Sequence, residues 1–244
     1  MLDGSVQAKG AVGAAELTAR YGRLDGAALL GALVHEQFPG RIAVVSSFGT
    51  ESAVLLAMAA EADPSFPVFF INTGKLFGET LRYRDRLVAT LGLTDVRTIG
   101  PTPEELAAGD PDSLLFTRSP DACCHLRKTI PLDRALSGVD AWVTGRKRFQ
   151  AATRAELPLF ENEEGTGRVK VNPLAFWDRE RIEDEFTRRN LPRHPLEADG
   201  FLSIGCFTCT ERVAPGADPR SGRWAGSAKT ECGIHTFSKT GTAP

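Results

Sequence analysis

Long apolar runs are missing from this 244-residue chain. No stretch approaches the roughly 18–20 residues of a membrane span, so no membrane association is expected. A basic segment followed by an apolar core is also missing from Met1 to Arg20, so the reading expects no secretory leader. Charge of one sign is not in excess: 29 Lys and Arg face 31 Asp and Glu, for a net charge of −2. That balance excludes a global pull toward nucleic acid or anionic lipid and leaves any anion site to a local cluster. No internal repeat is found. Cysteine is sparse, five in all, and an odd number cannot pair completely. Together with the missing leader, this favours a reducing cytoplasm, where clustered thiols bind metal or catalyse more often than they cross-link.

What is there is ordinary in bulk. Hydrophobic residues make up 42% and charged residues 25%, the balance of a globular protein large enough to bury a proper core. Residues 1–15, rich in Gly and Ala, are expected to be frayed. A helical pattern runs from Leu24 to Phe38, with Leu29, Leu30, Leu33 and Val34 on one face, and Pro39-Gly40 stops it. Arg41 to Val45 is short, apolar and β-branched, hence a buried strand. It leads through a Ser/Gly/Thr loop into a helix from Ala53 to Glu61.

A second such unit follows, with a strand at Val68 to Ile71, the loop Asn72-Thr73-Gly74 and a helix from Glu79 to Leu91. Val96 to Ile99 reads as a third strand and Ala141 to Thr144 as a fourth. A helical stretch at Cys123 to Leu136, a short strand at Val169 to Val171 and a charged helix at Phe176 to Asn190 complete the pattern. Alternating strands and helices predict an α/β fold, a parallel sheet flanked by helices with right-handed crossovers. From Leu191 onward Pro, Gly and Ser prevail, which reads as loop. The organisation expected is one α/β nucleotide-binding and cluster domain over 16–212, then an irregular, flexible C-terminal tail over 213–244.

Three constellations carry chemistry. Ser46-Ser47-Phe48-Gly49-Thr50-Glu51-Ser52 joins a strand to a helix N-terminus, where unpaired backbone N–H groups and the helix dipole favour an anion. It lacks the Gly-Lys-Ser/Thr ending of a Walker loop, and a plain strand–helix turn remains the alternative. Gly145-Arg146-Lys147-Arg148-Phe149-Gln150, with Arg154 beyond, follows a strand end, where open α/β sheets bind ligands; arginine there suits phosphate or sulfate, and a solvated basic loop is the alternative. The third is thiol. Cys123-Cys124 and Cys206-Phe207-Thr208-Cys209 make four potential ligands for zinc or an iron–sulfur cluster. The adjacent pair can reach one centre only from a helix end or bend, which Pro131 downstream fits. Lys128 lies one turn beyond Cys124, placed to offset thiolate charge. Cys232, left over, stands among Lys229, Glu231 and His235, with Arg220 and Arg223 upstream; cations nearby favour the nucleophilic thiolate.

In combination, the Cys-Cys pair, the Cys-x-x-Cys pair, Asn72 through Thr80, Arg220 through Trp224 and Glu231-Cys232-Gly233-Ile234-His235 resemble the assimilatory sulfonucleotide reductases, and within them the iron–sulfur adenylyl-sulfate (APS) reductases. The resemblance covers roughly residues 40 to 237. It implies an adenine nucleotide α-hydrolase-like fold and a [4Fe-4S] cluster on Cys123, Cys124, Cys206 and Cys209. It further implies a catalytic set of Cys232, Lys128 and His235, with substrate contacts from Ser46, Ser47, Phe48, Gly49, Thr73, Gly74, Arg148, Arg154, Arg220 and Arg223. The activity implied is reduction of APS to sulfite and AMP through an S-sulfocysteine on Cys232, which thioredoxin or glutaredoxin then reduces. No nucleic acid is implied as a partner, and homo-oligomerisation stays open. Asn72 stands where many relatives have Asp, and the basic loop departs from the usual pattern. The rivals are a reductase of the 3′-phosphorylated nucleotide (PAPS), an ATP-pyrophosphatase with a Ser-Gly-Gly-x-Asp-Ser loop, and a zinc-stapled binding module.

Overall fold

A computed structural model describes residues 12–224, 229, 231 and 233–235. The chain opens with helices α1 (Ala14–Tyr21) and α2 (Gly26–Ala32). The expected helix over Leu24 to Phe38 is divided: α2 gives way to a π-helical turn at Leu33–Gln37 before the Pro39-Gly40 stop. A π-helical turn closes i to i+5, and Phe38 N–H accordingly donates to Leu33 O at 2.8 Å.

Strand β1 (Ile42–Ser46), helix α3 (Ser52–Ala62), strand β2 (Val68–Ile71), helix α4 (Gly78–Leu91) and strand β3 (Val96–Ile99) follow as the pattern predicts. Three helices come next: α5 (Pro103–Gly109), α6 (Leu115–Arg118) and α7 (Pro120–Cys124). A second π-helical turn at His125–Thr129 runs into α8 (Ile130–Leu136) and strand β4 (Ala141–Val143). The chain then forms strands β5 (Phe160–Asn162) and β6 (Val169–Val171) and helix α9 (Arg179–Arg188). The last is shorter at both ends than the expected Phe176 to Asn190.

The sheet has six strands in the order β3-β2-β1-β4-β6-β5. All pairings are parallel except β5 with β6, so the expected parallel sheet carries an antiparallel edge. Its strand faces explain the apolar run of β1. Ile42 and Val44 enter a large core with Leu29, Leu30, Val54, Leu55 and Phe70, whereas Ala43 and Val45 enter a smaller one with Leu132, Leu136 and Trp142. A strand buried on both faces has no polar side to alternate. Full burial of each such Leu, Val or Phe contributes about 1.5–3 kcal/mol.

Strand order reverses at β1, whose two neighbours are β2 and β4. Loops leaving the C-terminal ends of β1 and β4 diverge to opposite sides and open a crevice there. The adjoining loop after β2 is tightly fixed: Asn72 N–H donates to Ile99 O at 2.8 Å, and Gly74 N–H to Asn72 Oδ1 at 3.0 Å. A Cβ on Gly100 would lie 2.5 Å from Asn72 O, inside any real contact with backbone. Gly100→Ala is therefore expected to cost about 1–3 kcal/mol, the scale of overpacking. A urea midpoint equal to the parent's, at unchanged m value, would contradict this.

Candidate functional site

The crevice is a single cleft, floored by Val45, Ser46, Thr144 and Trp142 and walled by loops from both halves of the sheet. Its first wall is the loop from Ser46 to Ser52. Phe48 takes a left-handed φ of 51°, a conformation costly for a bulky side chain and held here by packing. Its ring is fully buried edge-on to Phe70 at 5.2 Å, and its N–H donates to Ser46 Oγ at 3.1 Å. Gly49 O accepts from Ser52 N–H at 3.1 Å. Helix α3 has no side-chain N-cap, and its N-terminal end, the positive end of its dipole, lies at the cleft, where Thr50, Glu51 and Ser52 are lining residues.

The second wall is Gly145 to Gln150 with Arg154. Three of its four cations, Arg146, Lys147 and Arg154, are matched by carboxylates from elsewhere in the chain. Lys147 Nζ, buried to the last few per cent, contacts Glu51 Oε2 at 2.8 Å, and Gln150 Nε2 donates to the same oxygen at 2.7 Å. Burial pulls the Lys147 ammonium below its ordinary value despite Glu51. Burial would raise the Glu51 carboxyl, but the charge of Lys147 and the two hydrogen bonds bring it down overall. Arg146 pairs with Glu161 and also donates to Asn172 Oδ1 at 3.1 Å. The basic loop is thus not a solvated run of charge, nor is it wholly turned to the cleft: Arg146 and Lys147 line it, each on its own carboxylate.

Of the residues singled out in the sequence, Ser46, Ser47, Gly49, Thr73, Lys128, Arg154, Arg220 and Arg223 line this cleft together. Phe48, Gly74 and Arg148 are not among its lining residues. Phe48 is core, as described. Gly74 turns the β2 loop at φ 70° and faces Arg127. Arg148 donates from Nε to Leu157 O at 2.9 Å and lies 4.3 Å over the Phe176 ring. The tail reaches the cleft at Arg220, Arg223 and Trp224 and again at Glu231 and Ile234. The turn Gly233–His235 lies beside His125–Thr129. Cys232 itself lies outside the described residues, between Glu231 and Ile234, and of His235 only the backbone is described.

The four remaining cysteines are free thiols, with Cys123, Cys124 and Cys206 buried and Cys209 partly so. Ser119 starts α7 by accepting from Ala122 N–H at 3.3 Å. Cys123 and Cys124 end that helix, where the π-helical turn at His125–Thr129 begins. This is the irregular helix end that two adjacent thiols need to face one centre. Cys206 precedes and Cys209 ends a 3-10 turn (Phe207–Cys209), which Phe207 N–H pins to the β2 loop by donating to Lys75 O at 2.9 Å, while Trp224 N–H, farther along the chain, donates to Cys209 O at 3.0 Å. The Cys206 sulfur lies 3.2 Å from Thr73 Oγ1. Burial pushes the Cys123 thiol up, Arg127 opposes this, and Cys206 and Cys209 add to it. Among the described residues no three Cys, His, Asp or Glu side chains close into a metal-ligating group; the thiols stand as neighbouring pairs. The donor set, four thiols with no competing disulfide, fits an iron–sulfur cluster or zinc. Cys206 and Lys128 line the cleft as well, so the thiol site and the cleft share a wall.

A buried ion pair missed in the sequence supports this wall. Arg127 Nη2 meets Asp110 Oδ2 at 2.6 Å and its Nη1 donates to Thr73 O at 2.8 Å. Glu51 and Glu161 likewise carry no sign in the sequence of their pairing with the basic loop. Nothing local in the sequence joins residue 110 to 127 or 51 to 147.

Comparison with known proteins gives the family and the fold. The family model described as phosphoadenosine phosphosulfate reductase domain matches residues 41–212. An adenosine 5′-phosphosulfate reductase of Mesorhizobium japonicum is 52% identical over 222 residues, 91% of this chain and 87% of that protein. Another, from a Chelativorans species, is 50% identical, covering 91% and 90%. A phosphoadenylyl-sulfate (PAPS) reductase from Candida auris, crystallised as a phosphate complex, superposes with a TM-score of 0.68 at 28% identity, over 81% of this chain and 95% of that one.

Proposed function

The chain belongs to the phosphoadenosine phosphosulfate reductase domain family, and on that premise we propose that it reduces adenosine 5′-phosphosulfate to sulfite and AMP in sulfate assimilation. The observation that carries the reading is the junction of two features: a cleft lined by Arg154, Arg220, Arg223 and Lys128, and thiols at its border, with Cys206 in the lining and Cys123-Cys124 just ahead of the turn that carries Lys128. The relatives named adenosine 5′-phosphosulfate reductase match over most of this chain at half identity. They favour APS over PAPS as the substrate.

The chemistry assigns each group a task. The phosphosulfate lies against the arginines and the N-terminus of α3. The Cys232 thiolate attacks the sulfur, forming an S–S bond as the S–O bond breaks, and the electron pair leaves on the phosphate oxygen of AMP. Cations around that oxygen stabilise the charge it gains. A dithiol partner, thioredoxin or glutaredoxin, then attacks the Cys232 sulfur and expels sulfite; its second thiol closes the partner's disulfide, which accounts for both electrons. Lys128 and His235 steady the developing negative charge.

Cys123, Cys124, Cys206 and Cys209 would hold a [4Fe-4S] cluster, which when bound supplies a fixed charge beside the sulfonate and no electron to the step above. Lys128, which lines the cleft in the turn that follows Cys124, would offset that charge. A reducing, cytoplasmic setting follows from the need for free thiols.

Two measurements on the purified protein test this reading. Iron and acid-labile sulfide near four each per chain, with absorbance at about 400 nm, are expected; one zinc and no colour would support the binding-module reading instead. Thioredoxin-dependent sulfite release is expected from APS in clear preference to PAPS, and the reverse preference would overturn the substrate assignment.

A further inference from the structure

The cleft already holds an anion of its own. Arg154 grips the Glu231 carboxylate with two parallel donors, Nε to Oε1 at 2.8 Å and Nη2 to Oε2 at 2.7 Å. Thr153 Oγ1 donates to Oε1 at 3.1 Å, and Arg220 Nη2 lies 3.6 Å from Oε2. The third nitrogen of Arg154, Nη1, donates to Gln150 Oε1 at 2.6 Å. All three guanidinium nitrogens of Arg154 are thereby engaged. Two parallel N–H donors on two oxygens is also how arginine holds a sulfate or phosphate.

Glu51, the other carboxylate of the cleft lining, pairs with Lys147, and Glu161, outside the lining, pairs with Arg146; both belong to the body of the fold. Glu231 belongs to the tail and immediately precedes Cys232. Burial would raise its carboxyl, but Arg154, Arg220 and Thr153 hold it below the usual range. It is therefore a full negative charge at neutral pH. A second anion on Arg154 and Arg220 would meet it at contact distance, where like charges disfavour each other strongly.

We propose that Glu231 is an internal occupant of the Arg154–Arg220 anion subsite, so that the acid group of an incoming nucleotide and the carboxylate of the tail exclude each other there. The inference rests on the reading of this cleft as an acidic-nucleotide site. Substrate binding then frees the residue next to Cys232 from its anchor, and by linkage anything that holds Glu231 on Arg154 weakens nucleotide binding by the same factor.

Calorimetric titration of the full chain with AMP tests it. Glu231→Gln is expected to bind AMP at least about fivefold more tightly than the parent, the lower end of typical coupling between sites. Glu231→Asp, whose shorter side chain retracts the carboxylate, is expected to tighten binding in the same direction and serves if the first variant misfolds. In an Arg154→Ala background the gain from Glu231→Gln should fall below about twofold, because the contested arginine is gone. A gain of equal size in that background would mean general charge removal and would overturn the proposal. So would unchanged or weaker AMP binding in a folded Glu231→Gln protein. Absence of AMP binding by the parent would sink the nucleotide reading and this inference together; AMP binding without the gain sinks this inference alone.

Discussion

Cys232→Ser is expected to lower thioredoxin-dependent sulfite formation by at least about a thousandfold, the scale of loss when a nucleophile is removed, while AMP binding stays within about twofold. A thiol with an ordinary value near 8.5 supplies thiolate at neutral pH and more so beside cations; a serine hydroxyl supplies almost no alkoxide unless a base is placed on it. The neighbours of Cys232 on either side, Glu231 and the turn beginning at Gly233, border the cleft and the segment carrying Lys128. Serine leaves those contacts in place. The pair of readouts matters: sulfite at the parent rate would refute the nucleophile assignment, and loss of AMP binding would move the role of Cys232 from chemistry to recognition.

Asp110→Ala is expected to destabilise the fold by about 3–5 kcal/mol, because it leaves a buried guanidinium without its counter-charge. The side chains of Arg127 and Asp110 are 5% and 0% exposed, which leaves water little chance to replace the lost partner. Burial would raise the Asp110 carboxyl, but Arg127 and the Leu115 N–H, at 2.8 Å, outweigh it and hold the group below its ordinary value. A lowered carboxyl contributes stability that is present above its unfolded value, about 3.9, and is lost as pH falls through the folded one. The parent should therefore lose this contribution only in strong acid, and the variant should show a shallower fall in stability below about pH 4. Urea melts at pH 7 and in acid measure both. Equal midpoints at pH 7 would show that the pair adds nothing net. Arg127 also holds Thr73 O, and Thr73 Oγ1 lies against the Cys206 sulfur, so if the four thiols hold a cluster as proposed, the variant should retain less iron.

Where elements follow from local pattern, the sequence was a good guide. Val68–Ile71 and Val96–Ile99 are strands with the expected bounds, because short β-branched runs between polar turns have few other uses. Helix α5 was missed although its start was written out: Thr102 and Glu105 cap one another's backbone N–H groups, with Pro103 at the first helical position. Strand β5 was missed for lack of signal, since Phe160-Glu161-Asn162 becomes a strand only by pairing with β6. The π-helical turns were also hidden, because no short pattern marks an i to i+5 turn. At the candidate site the thiols were legible and the ion pairs were not. Cys123-Cys124 and Cys206-x-x-Cys209 stand out by spacing as potential ligands, and the irregular end of α7 under the first pair is as that spacing requires. Arg146, Lys147 and Arg148 announce only charge, and what each does depends on Glu161, Glu51 and Phe176, partners set by the tertiary fold.

The reversal of strand order at β1 also bears on how the chain is made. When Ile99 has left the ribosome, β1, β2 and β3 can already pair, since early segments of a nascent chain fold first. The other margin of β1, Ile42 to Val44, must wait for Ala141 to Val143, seconds later at usual rates of elongation. During that interval an apolar strand has an open row of backbone donors and acceptors, which is a template for pairing with another chain. A message truncated ahead of residue 141 would yield half a sheet with that margin permanently bare. Its product would be prone to coalesce with its own kind, and the crevice between β1 and β4 would never come into being.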